Sequence, residues 1–161
     1  MRRLIFYSGM RRCGALCPIF ALARSAALWY AVYMEDKEFY ERQAELARAN
    51  AYAPYSGYSV GACVVCKDGA YYTGCNVENA SYGATMCAER NAVAAAVAAG
   101  QREIEAVYLV SSGRDMPYPC GICRQVLAEF GNPSVFVRNA DGRRDVATLA
   151  ELLPNGFCLR K

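Results

Sequence analysis

Apolar positions along the chain change period several times, and each change marks an element. From Glu35 to Ala51, Phe39, Leu46 and Ala47 recur at helical spacing among charges, with acids at the start, which predicts a helix ended by Pro54. Tyr52-Ala53-Pro54-Tyr55-Ser56-Gly57-Tyr58 is a turn-rich aromatic loop. Ser59 to Cys66 predicts a buried strand, Asp68-Gly69 a hairpin turn and Ala70 to Val77 the returning strand. Glu78 to Ala84 is a loop. Cys87 to Ala99 is apolar nearly all round and dominated by alanine, the pattern of a buried helix that neighbours can approach closely, with Gly100 as its cap. Glu105 to Ser111 predicts a buried strand, followed by a polar loop holding Pro117 and Pro119. Cys120 to Phe130 predicts a helix stopped by Gly131, Ser134 to Val137 a strand, Asp141-Gly142 a turn, and Thr148 to Leu153 a last short helix before Pro154. This alternation predicts an α/β fold, a sheet with helices on both faces. There is no internal repeat and no low-complexity linker.

Length and charge narrow the picture. At 161 residues the chain suits one domain, and 55% hydrophobic content is ample for a core. The net charge of +3 is too small to suggest a nucleic-acid partner, and it is unevenly placed. Residues 1–34 carry five arginines and no acid, leaving 13 basic and 15 acidic residues elsewhere, which suits a small neutral substrate better than a polyanion. The N-terminal stretch has several readings. Its arginines, the run from Cys13 to Ala23 and Ala21-Leu22-Ala23 imitate a secretory or organelle-targeting segment. Arg24 interrupts the best apolar run, so no membrane span is expected. Met34-Glu35-Asp36-Lys37 looks like a natural chain start, which would make residues 1–33 an extension outside the catalytic domain 34–161; a packed extra helix is the remaining reading.

The chain has no histidine, which excludes Ser-His-Asp and Cys-His catalysis and any His-ligated metal. Nine cysteines, an odd number scattered through predicted strands and helices, point to free thiols in a reducing, cytoplasmic setting. Cys63 and Cys66 form a C-x-x-C, but in a strand they point to opposite faces and read as small core residues.

Two stretches carry the chemistry. Thr85-Met86-Cys87-Ala88-Glu89-Arg90 and Pro119-Cys120-Gly121-Ile122-Cys123-Arg124-Gln125 supply three thiols and a carboxylate at or near predicted helix starts. Three thiolates hold a zinc ion and leave its fourth tetrahedral position to a water. A carboxylate beside that water, unbound to the metal, can take its proton. Cys120 and Cys123, three apart in a first helical turn, face the same way, and the positive helix end favours thiolate. Glu89 follows Cys87 by two positions, so the pair converges only if Cys87 sits at the very start, before the backbone turns helical. Three thiolates on Zn²⁺ leave a formal charge of −1, which disfavours acidifying water. Arg90 and Arg124, each next to a site residue, are either donors to the sulfurs or ordinary surface arginines. Cys-x-Glu, then Pro-Cys-x-x-Cys thirty-three positions on, resembles the signature of the zinc-dependent nucleobase and nucleoside deaminases.

Beyond these motifs, the chain from Tyr52 through Phe157 closely resembles the small cytidine deaminases. The matching stretches are Tyr52-Ala53-Pro54-Tyr55-Ser56, Val60-Gly61-Ala62, Gly74-Cys75-Asn76-Val77-Glu78-Asn79-Ala80-Ser81-Tyr82, the two cysteine stretches, and Leu152-Leu153-Pro154 with Phe157. The resemblance implies a three-layer α/β/α sandwich with a mixed central sheet, and one zinc per subunit on Cys87, Cys120 and Cys123. It implies hydrolytic deamination of cytidine and 2′-deoxycytidine to the uridines with release of ammonia, a pyrimidine-salvage reaction in which Glu89 is catalytic. It further implies Asn76 and Glu78 at the ribose hydroxyls, and Tyr58, Tyr82, Ala88 and Phe157 around the nucleoside. A homotetramer is implied, in which Tyr82 and Phe157 wall a neighbour's site. Read without the family, Asn76 and Glu78 are also compatible with a satisfied turn, and Phe157 with packing. Tyr58 departs from the family, which commonly has phenylalanine there; its hydroxyl bears on sugar preference. Residues 1–33 have no counterpart in the family.

Three other readings compete. A deaminase of the blasticidin type also uses three cysteines, but is not expected to carry the Asn-Val-Glu-Asn-Ala-Ser-Tyr loop. The tRNA and polynucleotide editors usually have histidine at the position of Cys87 and need basic surfaces. A non-catalytic zinc module would close the site with Cys75 as fourth ligand.

Overall fold

The structure is a computed structural model that describes residues 26–159, with side chains from Asp36 onward. The targeting features read in residues 1–25 lie outside the described residues. The chain divides into two compact units, Met1–Lys37 and Glu38–Lys161. Helix α1 (Ala26–Arg48) begins well ahead of the predicted Glu35 and ends slightly before the predicted Ala51. Asn50 and Ala51 close it with turn hydrogen bonds to Ala47 and Arg48. No helix among the described residues is long and apolar enough to cross a membrane.

The second unit is built on a five-stranded sheet in the order β2-β1-β3-β4-β5. Strands β1 (Val60–Cys66) and β2 (Tyr71–Cys75) form the predicted hairpin. Strand β3 (Ile104–Ser111) is antiparallel to β1 and parallel to β4 (Ser134–Arg138), so the sheet is mixed. A fifth strand, β5 (Arg144–Thr148), pairs antiparallel with β4 at the sheet edge and was not predicted. Helix α2 (Ala88–Ala98) connects β2 to β3, α3 (Gly121–Ala128) connects β3 to β4, and α4 (Leu149–Leu152) closes the fold behind a Thr148/Glu151 capping box.

The sheet is buried on both faces. Ala62, Val64, Cys66, Val107, Leu109, Val135 and Val137 meet Ala92, Val93 and Ala96 of α2 and Leu127 of α3 on one side. Cys63, Val65, Tyr108 and Val110 meet Ala44 of α1 on the other. Three layers result, as the resemblance implied. Burying a valine or leucine fully contributes roughly 1.5–3 kcal/mol, so Leu109, Leu127, Val64, Val107 and Val135 dominate the core. Cys63 and Cys66 fall in opposite core layers, as strand alternation predicts.

Alanine and glycine set how closely the layers approach. At Gly74, a Cβ would come within 2.5 Å of the Ala92 nitrogen and 2.6 Å of the Ala88 carbonyl oxygen. At Gly61 it would come within 1.9 Å of the Ala44 carbonyl oxygen. The bare backbone of β2 therefore seats the first turn of α2, which brings the residues after Cys87 to the sheet's end.

Candidate active site

Cys87 and Cys120 are the N-cap residues of α2 and α3, both with extended backbones (φ −72°, ψ 155° and φ −66°, ψ 168°). Cys120 thus precedes its helix rather than lying in the first turn. The non-helical backbone at Cys87 meets the condition its convergence with Glu89 requires. Neither cysteine side chain caps its own helix, so both sulfurs remain directed elsewhere.

The Cys87 and Cys120 sulfurs are 3.9 Å apart, and both lie within 4.8 Å of the Cys123 sulfur. All three thiols are free. A tetrahedral site with metal–sulfur bonds of about 2.3 Å has sulfurs roughly 3.8 Å apart, close to the observed spacing. Among the described residues this is the sole cluster of Cys, Asp or Glu donors that can hold a metal. Cys75 is not part of it; its sulfur reaches the Asn50 carbonyl at 3.4 Å. The fourth corner is therefore open to a water, and the closed four-thiolate reading loses its ligand.

Charge supports the same fit. Cys87 is held below the ordinary thiol range, first by a hydrogen bond from Cys123 and then by Arg90. Cys123 is correspondingly pushed up by that hydrogen bond and by burial. Against the effect of burial, the neighbouring Cys87 and Cys123 thiols raise the pKa of Arg90, and its Nη2 donates to the Thr85 carbonyl at 2.7 Å. Its Nε is buried without a hydrogen-bond partner. A guanidinium with an N–H to spare beside three thiols matches the negative charge of a zinc–thiolate centre. Arg124 does otherwise. Its Nε donates to the Pro119 carbonyl at 2.7 Å and its Nη1 to the Leu152 carbonyl at 2.8 Å. Those bonds tie the Cys120 segment to α4, so of the two readings left open for Arg124, thiolate donor or surface arginine, the structure takes neither and makes it a backbone clamp.

A cavity of about 260 Å³ opens in front of the sulfurs. Cys87, Ala88, Glu89 and Cys120 line it together with Tyr58, Val60, Asn76, Glu78 and Tyr118. Glu89 is only 6% exposed. Burial, reinforced by charge on Cys87 and opposed by a backbone hydrogen bond, pushes its carboxyl up to about 7.

The loops that carry the wall are stitched together by backbone bonds. Val77 and Met86 exchange two hydrogen bonds of 2.9 Å, which closes the 77–86 loop just before Cys87. Tyr52 donates to the Asn76 carbonyl, and Glu78 to the Tyr52 carbonyl. Asn76 is buried, its Oδ1 accepting from the Val60 N–H at 2.8 Å and its Nδ2 donating to the Tyr58 carbonyl at 2.9 Å. Its amide keeps one N–H and one lone pair beyond these bonds. The Glu78 carboxylate accepts from the Tyr55 N–H at 2.8 Å, from the Ser56 N–H at 3.3 Å and from the Ser56 hydroxyl. The Ser56 and Tyr55 bonds hold it below its usual range. Both residues thus also serve as the satisfied turn that the sequence left open.

Tyr82 and Phe157 lie outside this cavity. Tyr82, 79% exposed, lines an adjoining surface hollow with Tyr55 and Glu78. Phe157, 69% exposed, lines a separate hollow beside α4, and its carbonyl accepts from Gln125 Nε2 at 2.7 Å. Sequence reasoning did not single out Tyr118 or Ser56. Tyr118 had one signal, its place between two prolines ahead of Cys120.

Fold and site together define a hydrolytic zinc centre of the three-thiolate type set at two helix N-termini of an α/β/α sandwich. The model of the cytidine and deoxycytidylate deaminase zinc-binding region matches residues 34–139, and the chain belongs to that family. A cytidine deaminase of Sporosarcina psychrophila is 44% identical over 124 residues, covering 76% of this chain and 91% of the relative. One from Halalkalibacterium halodurans is 42% identical over 124 residues, covering 76% and 94%. The crystal structure of cytidine deaminase from Burkholderia pseudomallei superposes with a TM-score of 0.71 at 44% identity, covering 74% of this chain and 98% of that one.

Proposed function

We propose that the protein hydrolyses cytidine and 2′-deoxycytidine to uridine and 2′-deoxyuridine, releasing ammonia, with catalysis confined to residues 34–161. The observation that carries the reading is a buried carboxylate, Glu89, that lines a cavity beside three converging free thiols. Cys87, Cys120 and Cys123 would hold the zinc ion, which supplies a water acidic enough to attack at neutral pH. Glu89 takes a proton from the attacking water and delivers it to N3 of the pyrimidine as oxygen bonds to C4. The second proton reaches the exocyclic nitrogen by the same carboxylate, the C4–N bond breaks, and ammonia leaves. A carboxyl held near neutrality by burial suits both halves of that transfer. Arg90 offsets thiolate charge. Asn76 and Glu78 face the cavity where a sugar would lie, with Tyr58 and Ala88 against the nucleoside.

The exposure of Tyr82 and Phe157 supports their use at a neighbouring subunit's site, and hence a homotetramer. Seven free cysteines among the described residues support a reducing cytoplasm, and the proposed reaction is itself one of pyrimidine salvage. The blasticidin-type alternative has no specific feature of the cavity in its favour. The test is direct: purify the chain, measure zinc per chain, and follow the fall in cytidine absorbance. One zinc per chain with ammonia released in step with uridine is expected; zinc-loaded protein inert toward both cytidines would refute the reading. Sedimentation velocity checks the tetramer.

A further inference from the structure

Tyr118 stands in the cavity wall beside Cys120, between Pro117 and Pro119, both buried. Its ring packs against the core layer of α2 and α3, and its N–H donates to the Met116 carbonyl at 2.8 Å. Its hydroxyl donates to the carboxylate of Asp145, far along the chain on β5. Asp145 lies opposite Val137 in the β4–β5 ladder, and Val137 belongs to the α2/α3 core layer, so Asp145 stands on the face that carries the site. The other Asp145 oxygen accepts from the Val146 N–H at 2.8 Å. The acceptor is thus fixed by the strand ladder and by its own backbone bond.

The donor side is equally constrained. Proline fixes its own φ and restricts the residue before it, so Tyr118 has little backbone freedom. What remains is the swing of the side chain, and the bond to Asp145 removes it. The ring is half-buried and open to the cavity, so packing alone does not hold it.

We propose that Asp145 is a positioning residue for substrate: by holding the Tyr118 hydroxyl it fixes the phenol ring as a wall of the nucleoside cavity. Tyr118 then sets how firmly the substrate sits against Cys120 and Glu89. The inference rests on the deaminase reading and names a specificity element within it. A pair that merely stapled the Cys120 loop would act on zinc content and turnover; a wall acts on substrate affinity.

The zinc-loaded full chain is compared with Tyr118→Phe, Asp145→Ala, the double variant and Asp145→Asn. Zinc per chain, kcat and KM for cytidine, and calorimetric Kd for uridine are read for each. Losing one hydrogen bond should raise KM and the uridine Kd about three- to tenfold in both single variants. Zinc content should stay unchanged and kcat should move less than about twofold. The double variant should be no worse than either single one, because the two residues act through one bond. Asp145→Asn, which keeps an oxygen acceptor, should recover most of the affinity. Unchanged KM and uridine Kd in both single variants would overturn the proposal, as would zinc loss and a fall in kcat at constant KM. A wild-type chain that neither deaminates cytidine nor binds uridine fails earlier, and refutes the function itself.

Discussion

Two arginines, each one position past a site residue, look equivalent in sequence, yet only one faces the thiols. Arg90 is coupled electrostatically to the Cys87 and Cys123 thiols, and Arg124 clamps the carbonyls of Pro119 and Leu152. Their loss should therefore read out differently. Arg90→Gln should weaken zinc about 10- to 100-fold in a competitive chelator titration, with little change in thermal midpoint of the loaded protein. Arg124→Gln should lower the midpoint instead, since a charged hydrogen bond contributes about 1.5–3 kcal/mol, while zinc affinity holds. Equal zinc affinities in the two variants would contradict this division. Glu89 gives the sharper contrast. It lies outside the cluster of metal donors but lines the cavity. Glu89→Gln should keep full zinc and lose roughly 10²–10⁴ in kcat, the usual worth of a positioned proton carrier; metal analysis beside steady-state kinetics checks both. The clustering of Cys87, Cys120 and Cys123 and the nearness of Glu89 to the same cavity were legible in the sequence, because chemistry at fixed spacing survives any error in element boundaries. The role of Arg124 stayed open because its two acceptors depend on where α4 docks, and Tyr118 was missed because its partner lies on a strand the pattern did not reveal.

The elements divide along the same line. Buried strands and the alanine-rich helix announce themselves by composition, and β1, β3 and α2 lie where the apolar runs placed them. The fifth strand does not: Arg144, Asp145 and Val146 are exposed, and an edge strand with charged positions shows no buried face to read. The start of α1 was misplaced for a related reason. Acids from Glu35 onward imitate a first turn, whereas the helix already runs from Ala26. Close approach between elements was half legible. Alanine in α2 foretold it, but only the structure shows that Gly74 is the contact point. Gly74→Ala pushes a methyl into the backbone of Ala88 and Ala92, which no rotamer change relieves. It should cost about 1–3 kcal/mol by urea unfolding and lower kcat, because the first turn of α2 carries Glu89. Gly83→Ala, which meets nothing within 4 Å, is the matched control and should leave both unchanged.

At the scale of the molecule, the part of α1 from Glu38 onward joins the rest of the second unit through charge as well as through Ala44. Arg144 and Arg138 both pair with Glu41, at 2.8 and 2.9 Å, and Arg138 also reaches Glu45 at 2.6 Å. Glu45 in turn pairs with Arg48, whose Nη1 donates to the Ser59 hydroxyl at 3.1 Å, one residue from the cavity wall at Tyr58. Every member lies at or beyond Glu38, so a chain beginning at Met34 keeps the network entire, and it should retain kcat and KM for cytidine. Glu45 makes the network sensitive to acid. The hydrogen bond from Arg48 lowers its pKa below the ordinary 4.5, against burial and with help from Arg138. A carboxylate with a depressed folded pKa contributes stability that is complete above the unfolded value and is lost as pH falls through the folded one. Glu45 is partly exposed, so solvent screening holds the contribution to no more than about 1 kcal/mol. The urea midpoint of Glu45→Gln should accordingly lie below that of the wild type at pH 7, by a gap that stays constant down to about pH 5. Below pH 4.5 the gap should close, and at neutral pH it should shrink as ionic strength rises. A gap that persisted at pH 3 would show that Glu45 acts through packing rather than charge.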